Sequence, residues 1–208
     1  MAGLDASPED TRAVYDRNAL AFDKSRSRTL FEARWLARFT ARIPPQGRVL
    51  DLGCGGGEPI ARWLMAEGFD VTGVDFAPAM LDICRTRWPD GDWRLADMAA
   101  LDLGESFDAI ISWNGFFHLT AAQQKACIPR LAAHLNDGGM LMLTVGHSHG
   151  EVTGTVAGEA VYHASLSPAE YATAFEDAGL ILTGFMAEDP ETNDHSVVMA
   201  RKHTGPRP

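Results

Sequence analysis

Three aspartates stand in or just beyond three apolar runs of this 208-residue chain. Asp51 lies within Val49-Leu50-Asp51-Leu52, Asp75 ends the run from Val71, and Asp97 follows Trp93–Ala96. The first run leads into Gly53-Cys54-Gly55-Gly56-Gly57-Glu58-Pro59, after which a helix-like pattern begins. Glycine serves where the backbone takes positive φ, or where a ligand must come closer than a Cβ permits. A strand, a glycine turn and a helix N-terminus together offer backbone N–H groups to a nucleotide-like molecule. Two departures from the dinucleotide pattern narrow the chemistry. Dinucleotide sites keep an apolar residue where Asp51 stands, and the third glycine of G-x-G-x-x-G would fall at Glu58. Acids on both sides of the turn repel a pyrophosphate and attract a cation.

Asp51-x-Gly53-x-Gly55-x-Gly57 resembles the D-x-G-x-G-x-G signature of the class I S-adenosylmethionine-dependent methyltransferases, small-molecule type. The resemblance implies a cofactor, S-adenosyl-L-methionine, with a sulfonium and an ammonium group and no phosphate, leaving S-adenosyl-L-homocysteine as product. It places Asp51 with Gly53, Cys54 and Gly55 at the methionine end, Cys54 as a small packing residue of the turn. Asp75 then accepts the ribose hydroxyls, Asp97 takes the adenine amine, and the Met98 N–H bonds a ring nitrogen. Phe76 and Trp113 are candidates to pack on the adenine. Tyr15-Asp16-x-x-Ala19-x-x-Phe22-Asp23-x-x-Arg26 is similar to a pattern in the lid helix of such enzymes. By that likeness Tyr15 closes over the cofactor and Arg26 pairs with its carboxylate. The plainer alternatives are capping or solvated carboxylates, a half-core Tyr15 and a surface Arg26.

Methyl transfer from a sulfonium is an in-line displacement with an activated leaving group. Alignment is the main requirement, and a base is needed only if the nucleophile must lose a proton. His118, within Trp113–Leu119, matches a histidine found at that point in family members of the ubiquinone-biosynthesis type. His147 and His149 open a segment that also holds Glu151, Glu159, Tyr162 and His163, and are candidate bases or substrate contacts. His147-x-His149-x-Glu151 could put three ligand types on one side of an extended strand, but the spacing is not that of a familiar metal site and no metal is assigned.

The elements that must position these groups follow from periodicity. Ser7-Pro8-Glu9-Asp10 starts a helix, with Val14, Tyr15 and Phe22 at helical spacing, and Ser27 caps a second carrying Phe31, Trp35, Leu36 and Phe39. Strands and helices then alternate to Val145, with Pro129 expected to kink or restart the helix from Ala121 to His134 and Asn136–Gly139 expected as a turn. Residues 147–165 show no clear period. Ser167-Pro168-Ala169-Glu170 caps a last helix, and Leu180–Ala187 with His195–Ala200 form a hairpin. The expected fold is α/β and Rossmann-like, one domain over 1–208. The resemblance implies a seven-stranded, mostly parallel sheet in the order 3-2-1-4-5-7-6, and the closing hairpin makes the last strand antiparallel, with helices on both faces. Residues 1–45 form an N-terminal helical lid, 46–146 the cofactor-binding core, 147–165 a substrate-side insertion, and 166–203 the C-terminal helix and hairpin.

A formal charge of −10, from 28 acids against 18 bases, disfavours nucleic acid, which needs a basic face. Three scattered cysteines suggest neither disulfide framework nor zinc site and fit a reducing, cytoplasmic setting. No apolar run approaches the ~20 residues of a membrane span. The expected partner is a small-molecule acceptor, and the chain a monomer or homodimer. Two other readings share the glycine turn: a non-catalytic binder of the cofactor or its product, and an NAD(P)-dependent oxidoreductase.

Overall fold

The computed structural model describes residues 6–205. Nine strands and seven helices follow one another along it. They are α1 (Pro8–Arg17), α2 (Ala19–Ser25), α3 (Ala33–Thr40), β1 (Arg48–Leu52), α4 (Ile60–Ala66), β2 (Asp70–Asp75), α5 (Pro78–Arg87), β3 (Asp92–Leu95), β4 (Phe107–Ser112), α6 (Ala121–Ala133), β5 (Leu135–Val145), β6 (Gly150–Val156), β7 (Glu159–Ser165), α7 (Pro168–Asp177), β8 (Leu180–Asp189) and β9 (His195–Lys202). Seven strands make one sheet in the order β3-β2-β1-β4-β5-β9-β8, with β9 antiparallel to both neighbours. This is the expected 3-2-1-4-5-7-6 arrangement, in which β8 and β9 are the sixth and seventh strands.

Alternation along the central strands sends side chains to two cores. Leu50, Leu52, Ile110, Leu141 and Leu143 join residues of α6 and α7 on one face. Val49, Ile111, Met140 and Met142 join residues of α3, α4 and α5 on the other. Each such fully buried side chain contributes about 2 kcal/mol. Polar groups hold the register at the lower edge: Asp108 accepts the Arg48 amide at 2.8 Å and the Asn136 amide group at 2.8 Å. The carboxyl ends of β1, β2, β3 and β4 are thereby brought to one rim, where the order reverses between β1 and β4.

Several local expectations are corrected. Residues 147–165 hold a regular hairpin, β6 paired antiparallel with β7 from Gly150↔Ser165 to Val156↔Glu159. The signal was the two-residue connection Ala157-Gly158, whose φ values of 50° and 86° form the left-handed corner that matches strand twist. Pro129 lies inside an unbroken α6, because Cys127, Ile128 and Leu131 are all fully buried on either side of it and tertiary packing outweighs the lost hydrogen bond. Asn136–Gly139 belongs to the start of β5, which opens with a register irregularity against β4. The first helix divides at Asn18, whose side-chain amide donates to the Val14 carbonyl at 2.9 Å. Ser27 caps nothing: its hydroxyl meets that of Thr29, and α3 begins only after Glu32.

Candidate functional site

α1 and α2 lie across the carboxyl rim and enclose a cleft of about 290 Å³. Its wall includes Asp51, Gly53, Cys54, Gly55, Asp75, Phe76, Asp97, Met98, Trp113 and His118 from the sheet side, and Tyr15 and Arg26 from the N-terminal helices. His147 and His149 are not part of this wall. His147 stands 3.4 Å from Glu188 and His149 bonds Glu170 at 2.8 Å, both on the exposed surface. Glu151 bonds the Tyr162 hydroxyl instead, so the three do not converge.

The glycine turn is shaped by Gly53, Gly55 and Gly57, with φ of 79°, 55° and 79°. Four of its amides are engaged within the protein. Those of Gly53 and Cys54 both donate to the Val74 carbonyl at 2.7 and 3.0 Å, Gly55 to Asp75 at 2.9 Å, and Gly57 to the Cys54 carbonyl at 3.0 Å. A phosphate would find these donors already committed. Gly56 is fixed for another reason: a Cβ there would lie 2.4 Å from Asp23 Oδ1. Asp23 itself accepts from Arg87 at 2.6 Å and from Arg28 at 3.0 Å, while Arg87 also donates to the Gly56 carbonyl at 2.9 Å. These bonds pin α2 against the turn. Cys54 packs inward, where its thiol and that of Cys84 share the Gly55 carbonyl at 3.7 and 3.1 Å.

Glu58 does not carry the electrostatic role expected of it. It pairs with Arg28 and, at 3.5 Å, with Arg62, so its charge is compensated locally. The field at the turn comes from Asp51 and Asp75, 3% and 6% exposed. Burial pushes the Asp51 carboxyl up to about 7, with the Asp75 charge adding to the rise and Arg26 opposing it. No hydrogen bond to the Asp51 carboxylate is present among the described residues. Burial likewise lifts Asp75 to about 6, against the pull of the Ala77, Gly55 and Phe76 amides. Each Asp75 oxygen accepts one backbone amide, from Gly55 or from Ala77, both at 2.9 Å. A carboxylate oxygen accepts more than one bond, so both keep capacity for a ligand hydroxyl.

Further along the rim, Asp97 caps the short turn Met98–Ala100 through the Ala99 amide at 2.8 Å. Phe76 lies 6.2 Å from the Tyr15 ring between centroids. Trp113 stacks on His195 at 5.7 Å and belongs to the sheet-side core as much as to the cleft. Arg26 is bound to the buried Glu32 and lies over Phe31.

His118 joins three elements. Its Nδ1 is 2.9 Å from the Tyr162 carbonyl on β7, which can only accept, so Nδ1 carries the proton. Nε2 then accepts from the Tyr15 hydroxyl of α1 at 2.9 Å. Burial lowers the imidazole to about 4 and keeps it neutral, whereas the Tyr15 hydroxyl is raised by burial and by Asp75. Both nitrogens are therefore occupied in positioning Tyr15. On the same hairpin, Glu159 receives Arg17 and the Asn18 amide, the latter at 2.7 Å, so α1 is tied to β7 at two points.

Sequence reasoning gave no site role to Asp23, Asn114 and Gly115, which stand on the cleft wall. Asn114 takes a left-handed φ of 59° and donates its amide to Thr144 at 2.7 Å. An asparagine before a glycine just past an apolar run was the available hint. Asp23 stood in the lid-helix pattern, but its partner Arg87 is distant in sequence, so its role at the turn was not legible.

The sheet order is that of the Rossmann-like methyltransferase fold. Residues 49–139, less than half of the chain, match the family model described as a methyltransferase domain. Trans-aconitate 2-methyltransferase of Delftia acidovorans is 35% identical over 130 residues, 59% of this chain and 47% of that protein. The dTDP-4-amino-2,3,4,6-tetradeoxy-D-glucose N,N-dimethyltransferase of Saccharopolyspora spinosa is 30% identical over 104 residues, 49% of this chain and 41% of that one. The chain thus spans less than half the length of these curated relatives. Among solved structures, the CcbJ methyltransferase from Streptomyces caelestis superposes with a TM-score of 0.74 at 20% identity, covering 94% of this chain and 100% of that one. CalS10, an amino pentose methyltransferase from Micromonospora echinaspora solved with S-adenosylmethionine bound, gives 0.69 at 24% identity over 89% and 96%.

Proposed function

We propose that the protein transfers a methyl group from S-adenosyl-L-methionine to a small-molecule acceptor. The observation that carries the reading is the buried, unbonded Asp51 carboxylate beside a glycine turn of which four amides are already engaged. Such a site favours a cation and offers little to a diphosphate, which counts against a nicotinamide dinucleotide. When bound, the cofactor supplies an activated methyl group on sulfur. Asp51 would hold its ammonium, Asp75 the ribose hydroxyls, and Asp97 with the Met98 amide the adenine edge. Phe76 and Tyr15 supply apolar walls, and Trp113 closes the far side.

The N-terminal helices, residues 1–45, act as a lid over the cofactor, of which residues 1–5 lie outside the described residues. Tyr15 forms its inner surface and His118 is a positioning residue that holds the Tyr15 hydroxyl. Arg26 serves the lid through Glu32 rather than through the cofactor. Residues 46–146 provide the cofactor core, the hairpin of 147–165 the substrate-side cover, and 166–203 complete the sheet. His147 and His149, held at the surface by acids, have no part in the chemistry under this reading. The acceptor is a compact molecule, nucleic acid and membrane are not partners, and the three reduced thiols fit a cytoplasmic setting. Among the described residues no helix is long and apolar enough to cross a membrane.

Calorimetry with S-adenosylhomocysteine and with NADH tests the site, and release of S-adenosylhomocysteine with a panel of small acceptors tests turnover. Affinity for the homocysteine compound, none for NADH, and acceptor-dependent release are expected. Tight NADH binding without any response to the sulfur nucleosides overturns the assignment, whereas binding without release for any acceptor points to the non-catalytic binder.

A further inference from the structure

The two edges of the sheet are built differently. β3 is four residues long and carries Asp92 and Arg94, which blunt it against further pairing. β8 runs for ten residues, and from Leu180 to Ala187 it contains no charge and no proline. It is hydrogen-bonded only to β9, so its outer backbone groups have no strand alongside among the described residues. Three large apolar side chains project from it: Ile181, Leu182 and Met186 are 36%, 37% and 46% exposed. An exposed, uncharged edge of this length is a template for another strand.

We infer that β8 is the contact through which two copies of the chain pair, antiparallel, into one continuous sheet. The register follows from the irregularity at Leu182/Gly184. Leu182 and Phe185 stand opposite Ala200 and Val198 of β9, both in the core that faces α6 and α7, so these two share a face despite a spacing of three. Ile181 and Met186 stand opposite Arg201 and Val197 and share the other face. A two-fold axis perpendicular to the sheet, between Thr183 and Gly184, therefore sets Leu182 against the second copy's Phe185. The same axis sets Ile181 against the second copy's Met186. Each apolar residue meets an apolar residue on its own face, which few registers of an arbitrary strand would achieve.

Charge agrees with this arrangement. Beside Ile181 and Met186 runs a groove of about 450 Å³ walled by Trp35, Met140 and Met199 and rimmed by Arg38, Arg42 and Arg201. This is a local excess of cations on a chain of net charge −10. The axis brings the acidic end of the second copy's β8, with Glu188, toward the end that carries Arg201. The contact does not depend on the proposed methyl transfer.

Sedimentation equilibrium of the full chain should give twice the mass of one chain, and Met186→Lys, which faces a charge onto the second copy's Ile181, should give a single chain with unchanged circular dichroism. Disulfide capture tests the register. The double variant Ile181→Cys/Met186→Cys should form a covalent dimer under mild oxidation, because opposed residues of an antiparallel pair lie within bridging range. Ile181→Cys alone should not, since its own copy in the partner lies far along the strand. A monomeric wild type, a dimer that survives Met186→Lys, or equal cross-linking of the single and double variants overturns the inference.

Discussion

Acidification should weaken the binding of S-adenosylhomocysteine chiefly through Asp51. A cation is held by the ionised carboxylate, and in the free protein burial lifts this group to about 7. At about pH 8 it is ionised; at about pH 5.5 only about one molecule in 30 carries the charge. Affinity should therefore fall about 30-fold over that interval from this residue. Asp75, at about 6, adds a smaller factor at the acid end. Asp51→Asn should lose about 10- to 100-fold at about pH 8, the value of one hydrogen bond to a charged group, and most of the pH slope. Calorimetry across the range measures both quantities. In wild type near about pH 6.5, binding should also release protons, seen as an enthalpy that changes with the ionisation heat of the buffer. Equal pH slopes in wild type and Asp51→Asn, or a flat wild-type profile, would show that this carboxylate does not recognise the ligand.

The same residue should oppose folding in the free protein. Because the folded group holds its proton above the ordinary value of 3.8, stability should fall as pH rises from about 4 to about 7, by roughly 4 kcal/mol if fully expressed. Asp51→Asn should therefore melt later than wild type at about pH 8 and no differently near about pH 4, as thermal denaturation can record. Gly56→Ala places a methyl group 2.4 Å from Asp23 Oδ1 and 3.0 Å from Arg87, so it should cost about 1–3 kcal/mol and weaken cofactor affinity together. Unchanged affinity would mean that the α2 clamp does not shape the cleft. Tyr15→Phe leaves Nε2 of His118 without its donor and should destabilise by about 1–3 kcal/mol. Since His118 stays neutral down to about 4, the rate profile at saturating cofactor should lack a limb near the ordinary histidine value. A limb there that vanishes in His118→Gln would restore the residue as a base.

Much of the site is local, and local patterns can be read from sequence. Asp51, Gly53, Gly55, Asp75 and Asp97 each sit at the end of an apolar run, and parallel strands with regular crossovers carry such ends to one rim without further information. The β–α alternation and the closing hairpin implied a parallel sheet with an antiparallel last strand, and the strand order came from the resemblance to class I methyltransferases. Electrostatic partnership was decided elsewhere. Whether Glu58 repels a ligand depends on Arg28 and Arg62, and whether Arg26 reaches one depends on Glu32. Likewise, only the packing of α1 against β7 shows that His118 spends both nitrogens on Tyr15 and Tyr162. Periodicity reports which face of an element is apolar. It cannot report which charge ends beside which, because that is set by the approach of segments far apart in the chain. The sequence alone therefore determined the sheet and the acids along its rim, and the tertiary structure decided which of those acids remain free to meet a ligand.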